Sequence, residues 1–183
     1  MGQNKVFLSI GGVNLLESIC HLFHQLFPQV IVVTNYRNEL LHLDAELVTD
    51  IFPHLGSLGG IYTGLQFSSH PYAFVTACDM PFLRRDLIEY MMSLTDGYDV
   101  VIPVSDTGYE PLHAIYSKRC LGPMKSLLEM GNPKVIGFFD KVRVREVGQE
   151  ELEPFQGPPS PFFNINTPED FEKAKSMVLK RRG

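Results

Sequence analysis

Asp79 closes an apolar run, Phe74-Val75-Thr76-Ala77-Cys78, and Pro81 follows two positions later. Such a run reads as a strand over 73–78, buried on both faces at the centre of a parallel sheet, which the proline forbids to continue. Ligands of open α/β sheets gather just beyond such carboxyl ends. A carboxylate there is placed to hold a divalent metal that bridges the phosphates of a nucleotide; the alternative is an aspartate that caps the next helix. Gly56, Gly59 and Gly60 form a loop ahead of a helical segment, where backbone amides could approach a ligand closely or simply turn the chain. Asp50 ends a weak strand and reads equally as an acceptor for a nucleobase or ribose and as a turn residue. Asn164 and Asn166 end a short strand on one side, where neutral oxygens would complement a carboxylate or cap the last helix. Glu110 and His113 border an apolar strand and either line a substrate pocket or close the strand end. Lys5, taken alone, is a solvated charge. The six histidines show no paired metal-ligand spacing and no Ser/His/Asp arrangement is legible, which sets zinc and serine hydrolase chemistry aside.

The elements that must position these residues alternate along the chain. Leu15 to Phe27 carries one apolar stripe at the helical period and Pro28 ends it. A β-branched strand follows at 30–34, then a polar connection through Asn35 into a short helix near 38–42, and a strand at 46–48. The segment 61–67 reads as a helix, 86–93 as another and 99–103 as a strand. The second half is less regular: a strand at 112–116, a helix over 118–129 interrupted early by Gly122 and Pro123, an unresolved stretch at 135–139 and a half-exposed strand at 142–147. Residues 153–161 hold four prolines and a glycine and read as a loop. Thr167, Pro168, Glu169 and Asp170 form a strong helix start, so a helix spans 168–180. This rhythm predicts a three-layer α/β/α sandwich around a mostly parallel, Rossmann-like sheet.

With 183 residues, 44% of them hydrophobic, the chain suits one domain with one substantial core. A formal net charge of −5 argues against a nucleic-acid partner. Three separated cysteines in apolar surroundings fit a reduced, cytoplasmic protein. Neither a signal peptide nor an apolar run near the roughly 18 residues of a membrane span is visible.

Taken in order, Met1-Gly2-x-x-Lys5, Asp50 with Gly56-x-Leu58-Gly59-Gly60, Cys78-Asp79-Met80-Pro81, Glu110-Pro111-Leu112-His113-Ala114, Lys134 and Asn164-x-Asn166-Thr167-Pro168 resemble the molybdenum cofactor guanylyltransferases. The resemblance covers essentially the whole chain. It implies a nucleotidyltransferase-type fold and a Mg2+-dependent transfer of the guanylyl group of GTP to molybdopterin or its molybdenum form, releasing pyrophosphate. On that footing Asp79 ligates magnesium, Lys5 contacts the triphosphate, and the two are the catalytic residues. Thr34, Asn35, Asp50, Gly59 and Gly60 surround the nucleotide, while Asn164, Asn166, Glu110 and His113 belong to the acceptor or metal side. A receiving molybdoenzyme or chaperone is an implied partner; nucleic acid and membrane are not. Two other readings stay open: a cytidylyltransferase or other nucleotidyltransferase with a different base or acceptor, and a non-catalytic pterin- or partner-binding protein. In the family pattern a strand and a glycine-rich loop, Leu-Ala-Gly-Gly-x-Ser-x-Arg, lead into the Met-Gly-x-x-Lys segment at which this sequence starts. The expectation is a native protein longer by roughly 15 to 20 residues, one strand and its loop, so that residues 1–183 form a single nucleotidyltransferase-like domain short of that strand. A chain that truly begins at Met1 is the alternative, and would hold GTP weakly.

Overall fold

The computed structural model describes residues 8–182. Two short strands, β1 (Ser9–Ile10) and β2 (Val13–Asn14), form a hairpin about Gly11 and Gly12, whose φ of 62° and 84° only glycine adopts at low cost. Asn14 then caps α1 (Leu15–His24), its Oδ1 accepting from the amides of Leu16 at 2.8 Å and Glu17 at 3.2 Å. The helix stops three residues short of the expected Phe27, because a tightened turn from Phe23 to Phe27 intervenes before Pro28. Next come β3 (Ile31–Val33), a 3-10 turn at Arg37–Leu40, and β4 (Glu46–Val48) parallel to β3.

The element α2 spans Gly56–Phe67, so the glycines expected in a loop are the helix's own first turns. Leu58 is fully buried there and fixes the turn to the core, which the glycine count alone conceals. β5 (Tyr72–Thr76) leads through a turn to α3 (Arg85–Ser93), β6 (Val100–Ser105) and β7 (Gly108–Tyr109). β8 (His113–Ser117), a 3-10 turn at Lys118–Cys120 and α4 (Leu121–Glu129) follow. The unresolved stretch is a 3-10 helix, Val135–Lys141, ahead of β9 (Val144–Val147), α5 (Gln149–Leu152) and α6 (Pro168–Arg182).

The main sheet runs β5–β8–β6–β9, with β7 a short hairpin extension of β6. β6 and β9 are parallel, and β8 lies antiparallel between β5 and β6, so the sheet is mixed. Alternation sends Val100, Ile102, Ala114 and Tyr116 to a core shared with α2 and α4. Val101 and Ile115 face α3, Val147 and Leu152 on the other side. Helices thus cover both faces, the expected three-layer α/β/α arrangement. The position of β5 corrects the sequence reading. It ends the described ladder rather than occupying its centre, stops at Thr76 rather than Cys78, and all five of its residues are half-buried. An apolar run reports burial on average and says nothing of which strands stand beside it.

Candidate functional site

Thr34 and Asn35 follow β3, Asp50 follows β4, Asp79 follows β5, Glu110 follows β7 and His113 opens β8, while Gly59 and Gly60 lie in the first turns of α2 and Asn164 and Asn166 in the segment ahead of α6. Asp79 sits in the turn after β5 and is 8% exposed. Its carbonyl accepts from the amide of Ile165 at 2.9 Å, and that bond seats the segment 164–166 against it. Ile165 is fully buried with Phe82, Leu8, Ile10 and Leu15. The flanking Asn164 is half-buried and Asn166 exposed, so both diverge from the buried isoleucine as alternation requires. The expected short strand ending at Asn164–Asn166 is not among the described strands. The segment is tied to Asp79 through the Ile165 amide, and Asn164 donates its side-chain nitrogen to the Phe162 carbonyl at 2.9 Å. The Asn166 amide donates to Asp170 Oδ2 at 3.2 Å as part of the cap of α6.

On the neighbouring strands, Thr34 is buried; its amide donates to the Val48 carbonyl at 2.9 Å and its hydroxyl accepts from the Tyr36 amide at 2.9 Å. That turn presents Asn35 to solvent. Asp50, two residues past β4, accepts through Oδ1 from the Phe52 amide and from the Thr63 hydroxyl, both at 3.0 Å. Thr63 in turn accepts from the Ile51 amide at 3.0 Å. Thr63 is therefore the anchor that sequence reasoning missed: a threonine on the buried face of α2 carries no signal of its partner on another strand. Gly59 has a structural requirement, since a Cβ there would meet the Phe52 carbonyl at 2.8 Å and both Asp50 oxygens at 3.3 Å. Gly60 has open space in front of it.

Glu110 precedes β8 and His113 is its first residue. Glu110 is half-buried and accepts from Ser105 Oγ at 2.6 Å and Thr107 Oγ1 at 3.3 Å, and burial pushes its carboxyl above the usual range. His113 pairs with Thr76 across β8 and β5, three positions before Asp79. It is fully buried, its ring edge-on to Phe74 and to Phe162 with centroids 5.1 Å away in each case. Burial pulls its pKa down to about 3, so the imidazole is neutral. Lys5, with Met1 and Gly2, lies outside the described residues.

Among the described residues no three His, Cys, Asp or Glu side chains converge as a metal cage. Asp79 offers a hard carboxylate, and Asn164, whose neighbour Ile165 bonds the Asp79 carbonyl, has its amide nitrogen on the Phe162 carbonyl and its amide oxygen left as a hard donor. Magnesium suits such a set, because it takes one or two carboxylates and completes its shell with water and phosphate oxygens.

The pattern of the MobA-like NTP transferase domain matches residues 1–143. A protein of Desulfosudis oleivorans named molybdenum cofactor guanylyltransferase is 35% identical over 182 residues, covering 99% of this chain and 90% of that protein. The crystal structure of molybdopterin-guanine dinucleotide biosynthesis protein A from Archaeoglobus fulgidus superposes with a TM-score of 0.85 at 27% identity, covering 98% of this chain and 92% of the other. A cytidylyltransferase acting on 2-C-methyl-D-erythritol 4-phosphate, from Thermus thermophilus, shares the fold at a TM-score of 0.73 and 16% identity, over 96% and 94% of the two chains.

Proposed function

This chain belongs to the MobA-like NTP transferase family, and from that premise we propose that it transfers GMP from GTP to molybdopterin or molybdenum cofactor, forming the guanine dinucleotide and pyrophosphate. The observation that carries the reading is the bond from the Ile165 amide to the Asp79 carbonyl, which ties the segment bearing Asn164 and Asn166 to a buried aspartate just beyond β5. Asp79 and Asn164 would hold Mg2+, with Asn166 on the same acceptor or metal side, and the ion would supply positive charge to offset the negative charge developing on the α-phosphate. Asp50 and Thr34 frame the base and ribose, and Lys5 meets the triphosphate. The acceptor is a phosphate monoester already ionised at neutral pH, so the protein need supply no general base; its work is to hold two anions in line. Neutral His113 and half-buried Glu110 stand on the acceptor side. Two anionic small-molecule substrates and a reducing cytoplasm belong to the same reading; among the described residues no helix is long and apolar enough to cross a membrane.

The test is pyrophosphate release and dinucleotide formation by the purified protein with GTP, Mg2+ and molybdopterin. Asp79→Ala should lower the rate by about a hundredfold or more. Full activity of the variant without magnesium would remove the metal role, and turnover with CTP in place of GTP would overturn the base assignment.

A further inference from the structure

Among the described residues β4 pairs with β3 alone, so one of its edges is open. In a parallel pair alternate residues turn their backbone groups to the same neighbour. Here those residues are Glu46, whose amide donates to the Val30 carbonyl at 2.9 Å, and Val48, whose carbonyl accepts from the Thr34 amide at 2.9 Å. Leu47 lies between them, so its N–H and C=O point away from β3. The Thr49 amide and the Ala45 carbonyl point the same way by the same alternation, the Ala45 amide being taken by the Leu43 carbonyl at 3.0 Å. An open edge is ordinarily protected by a lysine or a proline, and residues 45–49, Ala-Glu-Leu-Val-Thr, hold neither.

A groove of about 640 Å³ runs along this edge, lined by all of residues 45–49. Consecutive residues of a strand point to opposite faces, so contact with all of them is contact with the edge itself. Two exposed apolar side chains border the groove: Leu41 at 67% and Phe67 at 46%. Leu40 and Leu43, on either side of Leu41, pack with Leu47 in the α1 cluster. Phe67 ends α2, which covers the other face, where Gly64 meets Val33 Cγ2. The groove also carries opposite charges at its two ends. Exposed Glu46 opens β4, while exposed Arg37 follows β3, which runs parallel to β4, and so stands at the carboxyl end with Thr49.

We propose that this edge is an interface between two copies of the chain, their β4 strands paired antiparallel about a two-fold axis at Leu47. The axis turns one copy end for end, so the Arg37 end of each groove meets the Glu46 end of the other. The charges are thereby self-complementary, as an isologous interface requires. A foreign strand would need a cation and a carboxylate in matching places; a second copy has them by symmetry. In this register Leu47 exchanges both backbone bonds with its counterpart, and each Thr49 amide donates to an Ala45 carbonyl across the axis. Moving the axis to Val48 would set Glu46 opposite Asp50, carboxylate against carboxylate, which selects Leu47 as the centre. Leu41 and Phe67 are then covered on the two faces of the joined sheet.

The experiment is sedimentation equilibrium and amide exchange on the 183-residue protein across a range of concentrations. A monomer–dimer equilibrium is expected, in which the amides of Leu47 and Thr49 slow by about tenfold or more as dimer forms, while those of Glu46 and Val48, already turned to β3, change less. Arg37→Glu sets acid against Glu46 and should weaken the dimer by about tenfold or more; adding Glu46→Arg should restore it. Thr49→Pro removes a donor of the new ladder and no bond to β3, so it should weaken the dimer with the circular dichroism of the fold unchanged. A protein that stays monomeric, a dimer indifferent to Arg37→Glu and Thr49→Pro, a double variant no better than the single one, or association that runs on past the dimer would each overturn the proposal. Protection of Leu47 and Thr49 that appears only when an extended segment of another protein is added would assign the edge to that partner instead. None of these readouts depends on GMP transfer.

Discussion

His113 shows how one buried residue shapes the pH response of the protein. Neither of its ring nitrogens meets a hydrogen-bond partner among the described residues, and both are buried. Burial without a partner disfavours the charged form most, which is why the pKa falls from 6.5 to about 3. The folded pKa lies below the unfolded one. The unfolded chain therefore takes up a proton from about pH 6.5 downward that the folded chain refuses, and stability is lost as pH falls toward 3. Over the interval from pH 6.5 to 5 this amounts to about 2 kcal/mol. His113→Leu keeps an apolar contact with Phe74 and Phe162 and has no proton to take up. Urea unfolding at pH 7 and pH 5 should show the wild type losing about 2 kcal/mol more than the variant. Equal losses would place the titration elsewhere.

At the scale of the element, α2 does two jobs, and the sequence disclosed only one. Its apolar residues at 58, 61, 62 and 65 are a core face of the kind periodicity finds. Its second job, holding the loop after β4, runs through Thr63, whose hydroxyl bonds Asp50 and Ile51 at 3.0 Å each. Thr63→Val conserves shape and removes both bonds, so it should cost about 1–3 kcal/mol in chemical unfolding. If Asp50 contacts the nucleotide as proposed, KM for GTP should rise with kcat little changed; an unaltered KM would detach Asp50 from the base. The same contrast explains what else was and was not legible. β4, α3 and α6 were visible because their period or caps lie within their own residues. The start of α2 was not, because glycines that pack against Phe52 and Asp50 look the same in sequence as glycines that turn a loop. The edge position of β5 and the enclosure of His113 were hidden for one reason: both depend on partners distant in the chain, Phe162 among them. Asp79 and the 164–166 segment were legible as separate motifs, and only folding set the Ile165 amide against the Asp79 carbonyl.

Across the whole molecule, acid stability is set by a second group acting in a different window. Glu151 accepts from Tyr90 of α3 at 2.7 Å, from Arg145 of β9, whose Nη1 lies at 3.1 Å, and from the Gly148 amide at 3.3 Å. It thereby fastens α3, β9 and α5 on one face of the sheet. The Arg145 guanidinium, first among these partners, draws its pKa from 4.5 to about 2. A folded pKa below the unfolded one contributes stability that is complete above about 4.5 and lost as pH falls toward 2. The side chain is 30% exposed, and solvent screening reduces the contribution to about 1–2 kcal/mol. The windows of His113 and Glu151 overlap between pH 4.5 and 3, so the loss of stability should begin near pH 6.5 and be steepest in the overlap. Glu151→Gln should lower stability at pH 7 by about 1–2 kcal/mol, flatten the curve below pH 4.5 and leave the limb between 6.5 and 4.5 as it was. A variant whose curve merely shifts down in parallel would mean that Glu151 braces the three elements by its hydrogen bonds alone, with no contribution from its charge.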